Sequence, residues 1–230
     1  FTKSIISPGI DPYESFLPIN HIKQNEINVL ITVPSTMTRL KNYLKTEKIL
    51  NKFELIIMCG EPFYLDLYKF IIEKLIYKDI FNCYGSTELS PWVFFHKCKK
   101  KDLKTFAKYK LMPIGKTYRY TKTLIKKNEL LVSGKMLSSG YLKKDETDRT
   151  FIKINNETWY KTGDISEVYK NNFIIKGRKD RVVKIKGYRI DLTEIEKFLR
   201  DINSIQNAIC FVKENNNEKF IISIIECAEK

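Results

Sequence analysis

The first 85 residues alternate short apolar runs with helix-like patterns, and this alternation limits the possible folds more than any other feature of the sequence. The apolar runs are Asn28–Val33, Phe53–Cys59 and Asp79–Tyr84, and the last two continue into Gly60 and Gly85. Strands that alternate with helices indicate a parallel sheet, because parallel neighbours need a crossover connection. Ligands bind beyond the carboxyl ends of the strands in such sheets, so the residues at these two glycines are candidates for a site.

Two helices are predicted between these strands. Pro34 suits the first turn of a helix that extends to Tyr43, because its fixed φ is compatible with that position. The second helix has an apolar face with spacings of three and four residues, which is typical of a helix packed on a sheet. That face consists of Leu67, Phe70, Ile71 and Leu75.

The pattern then changes to short strands separated by turns, from about residue 92 to residue 176, which predicts a β-rich region. The expected fold class is therefore α/β, with three parts. A parallel-sheet, Rossmann-like subdomain is predicted at residues 1–91 and a small β-barrel-like subdomain at 92–179. The start of a small α+β C-terminal subdomain is predicted at 180–230.

Three patterns define the predicted C-terminal subdomain. Arg181–Ile185 and Tyr188–Ile190 flank Lys186-Gly187 as a hairpin. Thr193–Glu196 fits a capping box that opens a helix. A second hairpin is predicted across an Asn-rich turn at residues 214–218.

Composition narrows the possible partners. The net charge is +14, but 34 of the 41 basic residues are lysine and they are scattered, with a tight run only at Lys97 and Lys99–Lys101. Arginine is the residue that binds phosphates and guanines through two hydrogen bonds at once, and this chain has few arginines. We therefore expect no nucleic-acid partner, although the positive charge attracts anionic ligands. No apolar run is long enough to span a membrane. The five cysteines, odd in number and widely spaced, predict reduced thiols and a cytoplasmic location.

One segment at a strand end carries several polar groups, Asn82–Glu88. A loop of this kind could hold a phosphate through Thr87 and Mg²⁺ through Glu88, since magnesium takes oxygen ligands. Taken alone, the segment is more typical of an ordinary strand-to-loop turn.

Three further segments each have a structural and a functional interpretation. The carboxylate of Asp164, in the sequence Tyr160–Asp164, could accept hydrogen bonds from a ribose diol, or the segment could be a simple turn. The basic stretch Gly177–Asp191 is a solvated hairpin or a contact for a phosphate-bearing ligand. Cys59-Gly60-Glu61 lies at a strand end, where a buried cysteine is usually a small core residue.

Together these motifs resemble the adenylate-forming superfamily, and more narrowly its amino-acid-activating adenylation domains. The matching patterns are NxYGxTE, then GYL with a downstream TxxxF, then YxTGD, then GRxDxxVKIxGYRIxLxEIE. CGE before the first pattern and Met112–Gly115 after it look most like the D-alanine–carrier-protein ligases. The resemblance extends from about Asn28 to Lys213.

The resemblance implies a partial adenylate-forming fold and an AMP-forming ligase. Such enzymes use ATP and Mg²⁺ to convert an amino acid into an aminoacyl-adenylate. They then transfer the aminoacyl group to the phosphopantetheine thiol of a carrier protein. An acyl-CoA synthetase and a catalytically inactive binding module remain as alternatives.

The resemblance also implies a role for each matching residue. Thr87, Glu88 and Arg178 belong to the catalytic set, in which Thr87 holds the α-phosphate, Glu88 holds Mg²⁺ and Arg178 reaches ribose or phosphate. Asp164 binds the ribose hydroxyls. The remaining nucleotide-binding residues are Asn82 at the adenine edge, Tyr84 on its face, Gly85 in the same loop and Asp180 at the hinge before the mobile subdomain.

The expected amino-acid pocket includes Cys59, Gly60 and Glu61. A thiol is compact and apolar, which favours a methyl-sized side chain and makes D-alanine the leading substrate. A pocket distinguishes substrates that differ by one methylene by only about 1–3 kcal/mol, so other small amino acids stay possible. Trp92 could also reshape the pocket for a larger side chain.

The sequence departs from the family at several positions. The family's Gly-rich phosphate loop and its closing lysine have no counterpart in these 230 residues. We therefore expect the chain to carry much of the nucleotide site but to be inactive alone. Ile175 stands where many relatives have Tyr, and Ser86 replaces the usual Pro.

Overall fold

The structure, a computed structural model, describes residues 22, 26–43, 52–179, 181–215 and 218–227. The chain divides into two compact units, Phe1–Lys179 and Asp180–Lys230.

The first unit contains a five-stranded sheet. Its strands are β1 (Val29–Thr32), β2 (Lys52–Cys59), β3 (Ile76–Ser86), β4 (Ser90–Lys97) and β5 (Lys116–Thr117), paired in that order. The first three strands are parallel, and the last two are antiparallel to their neighbours. The parallel sheet predicted from the alternating pattern is therefore confirmed.

Two crossover helices connect the parallel strands, α1 (Pro34–Tyr43) and α2 (Leu65–Lys74). The inward side chains of β2 and α2 are fully buried and form the first hydrophobic core; they include Phe53, Ile56, Met58, Leu67 and Ile71. Fully burying such a side chain is worth about 1.5–3 kcal/mol, so this core stabilises the parallel layer.

A second, antiparallel sheet follows in the same unit. Its strands are β6 (Thr121–Lys126), β7 (Glu129–Gly134), β8 (Phe151–Ile154), β9 (Glu157–Tyr169) and β10 (Asn172–Arg178). The order is β10-β9-β7-β6, and β8 also pairs with β9. The helices α3 (Asp102–Thr105) and α4 (Lys144–Thr150) lie between strands in the sequence.

A second hydrophobic core joins the two sheets. Val93 and Phe94 of β4 pack with Leu130 and Val132 of β7 and with Tyr160 of β9. All five side chains are buried. The ends of β3 and β4 are therefore held against the second sheet by packing.

The segment Met112–Gly115 adds polar links between the sheets. The amide Nδ2 of Asn82 in β3 donates to Pro113 O at 2.9 Å. On the other side, Ile114 N–H donates to Phe173 O of β10, and Phe173 N–H donates to Gly115 O, both at 2.9 Å. Because the segment is hydrogen-bonded to β3 on one side and to β10 on the other, it fixes the position of β3 relative to β10.

The second unit consists of two hairpins and a helix. β11 (Val182–Ile185) pairs with β12 (Tyr188–Asp191), α5 spans Leu192–Arg200, and β13 (Ile205–Asn215) pairs with β14 (Glu218–Cys227). Both predicted hairpins are thus confirmed.

The predicted capping box in this unit is wrong. The helix begins at Leu192, ahead of Thr193. The carboxylate of Glu196 accepts hydrogen bonds from the Arg181 guanidinium and, at 2.6 Å, from Cys210 N–H. Because the Glu196 carboxylate is buried, it needs charged or hydrogen-bonding partners, and a guanidinium with a backbone N–H meets that need better than one N–H at the start of a helix.

Strand pairing crosses the predicted boundary at residue 91, because β4 and β5 extend the first sheet. The division into three subdomains stays a prediction. Within the described residues, no helix is both long and apolar enough to cross a membrane.

We predict that Gly85→Ala disrupts the turn between β3 and β4. A Cβ at residue 85 would lie 2.4 Å from Pro91 O and 2.6 Å from Ser90 O, so the backbone must shift. Overpacking of this kind costs about 1–3 kcal/mol in the free energy of unfolding. Urea denaturation measures the change.

Ser86→Ala is the matched control in the same turn. Its buried hydroxyl has no hydrogen-bond partner among the residues that the structure describes, so we expect little change in stability. Equal stability of the Gly85→Ala and Ser86→Ala proteins would contradict the steric argument.

Candidate functional site

Thr87 and Glu88 lie at the tip of the hairpin formed by β3 and β4. The hairpin closes with Ser86 opposite Ser90, and a short 3-10 turn covers Thr87–Leu89. This tip is at the carboxyl edge of the parallel strands, as the alternating pattern predicted for a ligand site. Thr87 is exposed, whereas Glu88 is only 4% exposed.

A carboxylate held between the two sheets is the centre of the site. Asp164, on β9, is 7% exposed. Its Oδ2 accepts a hydrogen bond from the Tyr84 hydroxyl on β3. Its Oδ1 accepts one from Nη1 of Arg178 at 3.0 Å. Three of the predicted site residues, far apart in the sequence, are therefore in direct contact.

The register of the second sheet explains the ion pair. Arg178 on β10 stands directly opposite Asp164 on β9. Opposite residues in an antiparallel pair have Cβ atoms about 4.5–5.5 Å apart, so their charged groups meet on one face. Both side chains are largely shielded from water, where removing one partner leaves a buried, uncompensated charge.

Tyr84 donates to this carboxylate as a neutral phenol. Burial, followed by the neighbouring charge of Asp164, raises the pKa of Tyr84 well above its ordinary value. Its ring also packs edge-on against Phe94, with centroids 5.4 Å apart. The hydroxyl is therefore a fixed hydrogen-bond donor at neutral pH.

Side chains of Glu129 on β7 and of Lys179, just after β10, hold the part of β9 that carries Asp164. Glu129, itself buried, accepts from Gly163 N–H at 3.1 Å and pairs with Lys179 Nζ at 3.3 Å. Lys179 N–H donates in turn to Gly163 O at 2.7 Å. Asp164 N–H donates to Thr162 Oγ1 at 3.0 Å. The position of Asp164 is thus determined by backbone and side-chain bonds on both sides.

Glu88 has a partner of its own. The hydroxyl of Tyr141 donates to Glu88 Oε1, and Ser138 N–H donates to Glu88 O at 2.8 Å. Tyr141 belongs to the GYL motif, whose role could not be read from the sequence.

The residues at the hairpin tip fit a magnesium ion. Mg²⁺ at nucleotide sites is bound by one or two carboxylates and substrate phosphates, not by a protein cage. Glu88 would supply one carboxylate there. The described residues contain no cluster of three or more His, Cys, Asp or Glu side chains suited to a metal.

Asn82 lies in the predicted segment but contacts the protein backbone. It is 3% exposed, and its Nδ2 donates to Pro113 O. The amide donor therefore secures the link between the sheets. The predicted contact of Asn82 with an adenine edge stays a prediction.

Cys59, Gly60 and Glu61 lie at the end of β2, next to β3, with Cys59 opposite Cys83. Glu61 Oε2 accepts from Ser35 N–H at 2.8 Å, at the start of α1. A carboxylate at a helix N-terminus satisfies a backbone donor and complements the helix dipole. These three residues do not join the Asp164 cluster among the contacts that the structure describes.

Asp180, the predicted hinge, is outside the described residues. The lysine run at Lys97, Lys99 and Lys101 borders a cavity of about 460 Å³, together with His96 and Asp102. Lys97 stands opposite Phe81 in the pairing of β3 with β4. Phe81 is five residues before Ser86, where the hairpin tip begins, so the lysine run is about 16 Å from the tip along the strand.

Sequence reasoning missed two residues that hold the site, Glu129 and Tyr141. Glu129 follows a turn and begins an apolar strand, so nothing local distinguishes it from a solvated residue. For Tyr141 the available signal was its place in the GYL motif. Glu129 is beside none of the motifs, so the sequence held no signal for it.

Comparisons with known proteins give one family model and several similar proteins. The family model described as AMP-binding enzyme matches residues 3–142. A D-alanine–D-alanyl carrier protein ligase from Bacillus licheniformis is 28% identical over 219 residues, covering 89% of this chain and 43% of that protein. A protein of the same name from Bacillus cereus is also 28% identical, over 218 residues, with the same shares covered. The chain thus spans less than half the length of the curated relatives it matches.

Several solved structures with the same fold are adenylation domains. One is the Vibrio cholerae adenylation domain AlmE in complex with glycyl-adenosine-5'-phosphate, with a TM-score of 0.83 at 21% identity, covering 96% of this chain and 45% of that one. Another is NpsA-ThdA, an artificially fused adenylation–PCP di-domain from Klebsiella oxytoca. Its TM-score is 0.78 at 19% identity, and it covers 98% of this chain and 43% of that one.

We predict that the free energy of unfolding falls above pH 10, partly because of Tyr84. A tyrosine in the unfolded chain loses its proton near pH 10, whereas Tyr84 in the native protein keeps it. The unfolded state then binds fewer protons, so stability falls by about 1.4 kcal/mol per pH unit for such a group. Urea denaturation between about pH 9.5 and 11.5 measures the slope.

Tyr84→Phe should be less stable near neutral pH and should show a shallower slope above pH 10. Tyr118→Phe, at a residue that is 58% exposed, is the control and should keep the slope of the unmodified protein. Identical slopes for all three proteins would show that Tyr84 titrates normally.

Proposed function

This chain belongs to the AMP-binding enzyme family, and on that premise we propose that the full-length protein is an ATP-dependent, AMP-forming ligase that activates a small amino acid. In the first half-reaction the substrate carboxylate attacks the α-phosphorus of ATP, which forms an aminoacyl-adenylate and releases pyrophosphate. In the second, a thiol attacks the acyl carbon, which forms a thioester and releases AMP.

One observation carries the proposal, which is the convergence of three motifs on Asp164. Tyr84, Asp164 and Arg178 come from strands that are 80 and 14 residues apart in the sequence, yet they form one hydrogen-bonded cluster. A buried carboxylate with fixed neighbours at the edge of a sheet is suited to binding vicinal hydroxyls.

In the proposed nucleotide complex, Asp164 accepts hydrogen bonds from the ribose hydroxyls. An ionised carboxylate has about four acceptor directions, so it can bind a ribose while Tyr84 and Arg178 remain in place. Arg178 pairs with the carboxylate and supplies a positive charge near the phosphates. Tyr84 supplies a fixed donor and an aromatic ring beside the nucleotide.

Thr87 and Glu88 act at the phosphate end in this proposal. Thr87 is exposed at the hairpin tip and donates its hydroxyl to the α-phosphate. Glu88 holds Mg²⁺, which, when bound, neutralises the charge on the phosphate oxygens. The contribution of the chain is thus positioning and fixed charge, which together account for most catalysis of phosphoryl-type transfers.

The acceptor in the second half-reaction is proposed to be a carrier protein that bears phosphopantetheine, in the cytoplasm. The names of the Bacillus relatives support a carrier, and so does the fused adenylation–PCP arrangement of one structural neighbour. Asp180 is proposed as the hinge between the two half-reactions.

The proposed substrate is D-alanine. The names of the Bacillus ligases support it, and the AlmE complex holds a glycyl group, the smallest of the aminoacyl groups. Cys59 at the end of β2 is proposed to line the pocket, where a thiol leaves room for a methyl group.

We predict that Asp164→Asn weakens ATP binding by the full-length protein more than tenfold. The substitution keeps the shape of the side chain but removes the charge, and hydrogen bonds to charged groups are worth about 1.5–3 kcal/mol. Isothermal titration calorimetry gives the dissociation constant, and urea denaturation checks that the variant is folded.

Asp201→Asn is the matched control, since Asp201 is exposed after α5 and touches none of the site residues among the contacts described. Its affinity for ATP should be unchanged. A folded Asp164→Asn protein with the affinity of the unmodified protein would overturn the assignment of the ribose site.

We further predict that D-alanine supports the fastest ATP–pyrophosphate exchange in a panel of carboxylic acids. The panel comprises D-alanine, L-alanine, glycine, serine, β-alanine and a fatty acid, assayed with the full-length protein. Preference among the small amino acids is expected to be roughly tenfold, because one methylene distinguishes by only about 1–3 kcal/mol. A clear preference for the fatty acid would favour an acyl-CoA synthetase, and no exchange at all would favour an inactive binding module.

A further inference from the structure

We infer that the segment from Ser138 to Phe151 is a clamp that positions the carboxylate of Glu88, with Tyr141 as the positioning residue. The inference rests on the proposed function, in which Glu88 holds Mg²⁺. It assigns a role to the GYL and TxxxF motifs, which the nucleotide contacts leave unexplained.

The clamp forms two hydrogen bonds to Glu88. The Tyr141 hydroxyl donates to Oε1 of the Glu88 carboxylate, across 53 residues of sequence. Ser138 N–H, from the same segment, donates to the backbone carbonyl of Glu88 at 2.8 Å. Because both bonds come from one segment, the side chain and the backbone of Glu88 are held in a common frame.

Thr147 on α4 holds Tyr141 in turn. Tyr141 N–H donates to Thr147 Oγ1 at 2.8 Å, and that hydroxyl lies 3.3 Å from Tyr141 O and from Lys143 O, either of which can accept its proton. The threonine of TxxxF therefore bonds directly to the backbone of the tyrosine of GYL.

Gly140 makes this contact possible. Its φ is +124°, a region that L side chains rarely adopt. A Cβ there would lie 2.6 Å from Thr147 Cγ2, inside contact distance. The glycine of GYL thus lets the segment approach α4 closely enough for the Thr147 bonds to form.

Phe151 anchors the clamp to the second sheet. Its ring lies 5.9 Å from the Tyr141 ring and 5.3 Å from the ring of Tyr160, centroid to centroid. Tyr160 is buried in the core that joins the two sheets, four residues before Asp164. The clamp on Glu88 therefore packs against β9, the strand that carries Asp164.

The physical reason for such a clamp lies in the geometry of magnesium. Mg²⁺ requires nearly ideal octahedral geometry with short oxygen bonds, so a ligand that rotates loses affinity. A carboxylate rotates about its last carbon–carbon bond unless a donor fixes one oxygen. The Tyr141 hydroxyl fixes Oε1, and Thr147 and Phe151 fix Tyr141.

The test measures ATP binding by the full-length protein at a series of Mg²⁺ concentrations and in EDTA. For Tyr141→Phe we expect the Mg²⁺ concentration at half-saturation to rise about tenfold, the loss expected for a hydrogen bond to a charged group. Affinity for ATP in EDTA should be unchanged. Water-proton relaxation with Mn²⁺ in place of Mg²⁺ gives a second readout that does not depend on turnover.

Thr147 supplies a second pair of variants. Thr147→Val removes the hydroxyl and should raise the Mg²⁺ requirement in the same direction. Thr147→Ser keeps the hydroxyl and should behave like the unmodified protein. Tyr118→Phe, at an exposed tyrosine, controls for loss of a phenol in general.

Glu88→Gln separates this inference from the proposed function. If Glu88→Gln abolishes the Mg²⁺ dependence and Tyr141→Phe leaves it unchanged, the clamp is overturned while the proposed function stands. If Glu88→Gln has no effect, the proposed magnesium role of Glu88 fails, and the clamp fails with it. A Tyr141→Phe protein that loses ATP affinity equally with Mg²⁺ and with EDTA would show a merely structural role.

Discussion

The burial of one charge, on Asp164, governs the arrangement of the first unit. An ionised carboxylate that leaves water must find charged or hydrogen-bonding partners, or it loses several kcal/mol. Here the partners come from both sheets, with Tyr84 from the parallel side and Arg178 from the antiparallel side. The sheets must therefore meet in one particular alignment for the charge to be satisfied, and the candidate site lies where they meet.

Packing and backbone bonds reinforce that alignment. Val93 and Phe94 pack against β7 and β9 near the same edge, so apolar burial favours the contact that the ion pair specifies. Asn82 shows how a residue in a recognised motif contributes by holding the scaffold, since its amide donates to Pro113 O. The result is a site built from strands whose relative positions are fixed by independent interactions, which is what positioning catalysis requires.

The sequence was most informative where local chemistry decides local structure. The strands around Phe53 and Ile80 follow from apolar runs that end at glycines, and Pro34 marked the start of a helix correctly. The class of fold and the family follow from motifs that extend over most of the chain. Tyr84 and Asp164 were identified from those motifs, and the structure brings them into contact; their roles toward a nucleotide remain proposals.

The sequence was least informative about partners that are distant along the chain. Glu196 fits a local capping pattern, but its carboxylate binds Arg181 and a backbone group on β13, because tertiary donors satisfy a buried charge better than a nearby amide does. The roles of Glu129 and Tyr141 could not be predicted for the same reason. Glu129 bonds to a residue 34 positions away, and Tyr141 bonds to one 53 positions away. A motif shows which residues are present at a site, whereas the residues that hold them are determined by packing and must be read from the structure.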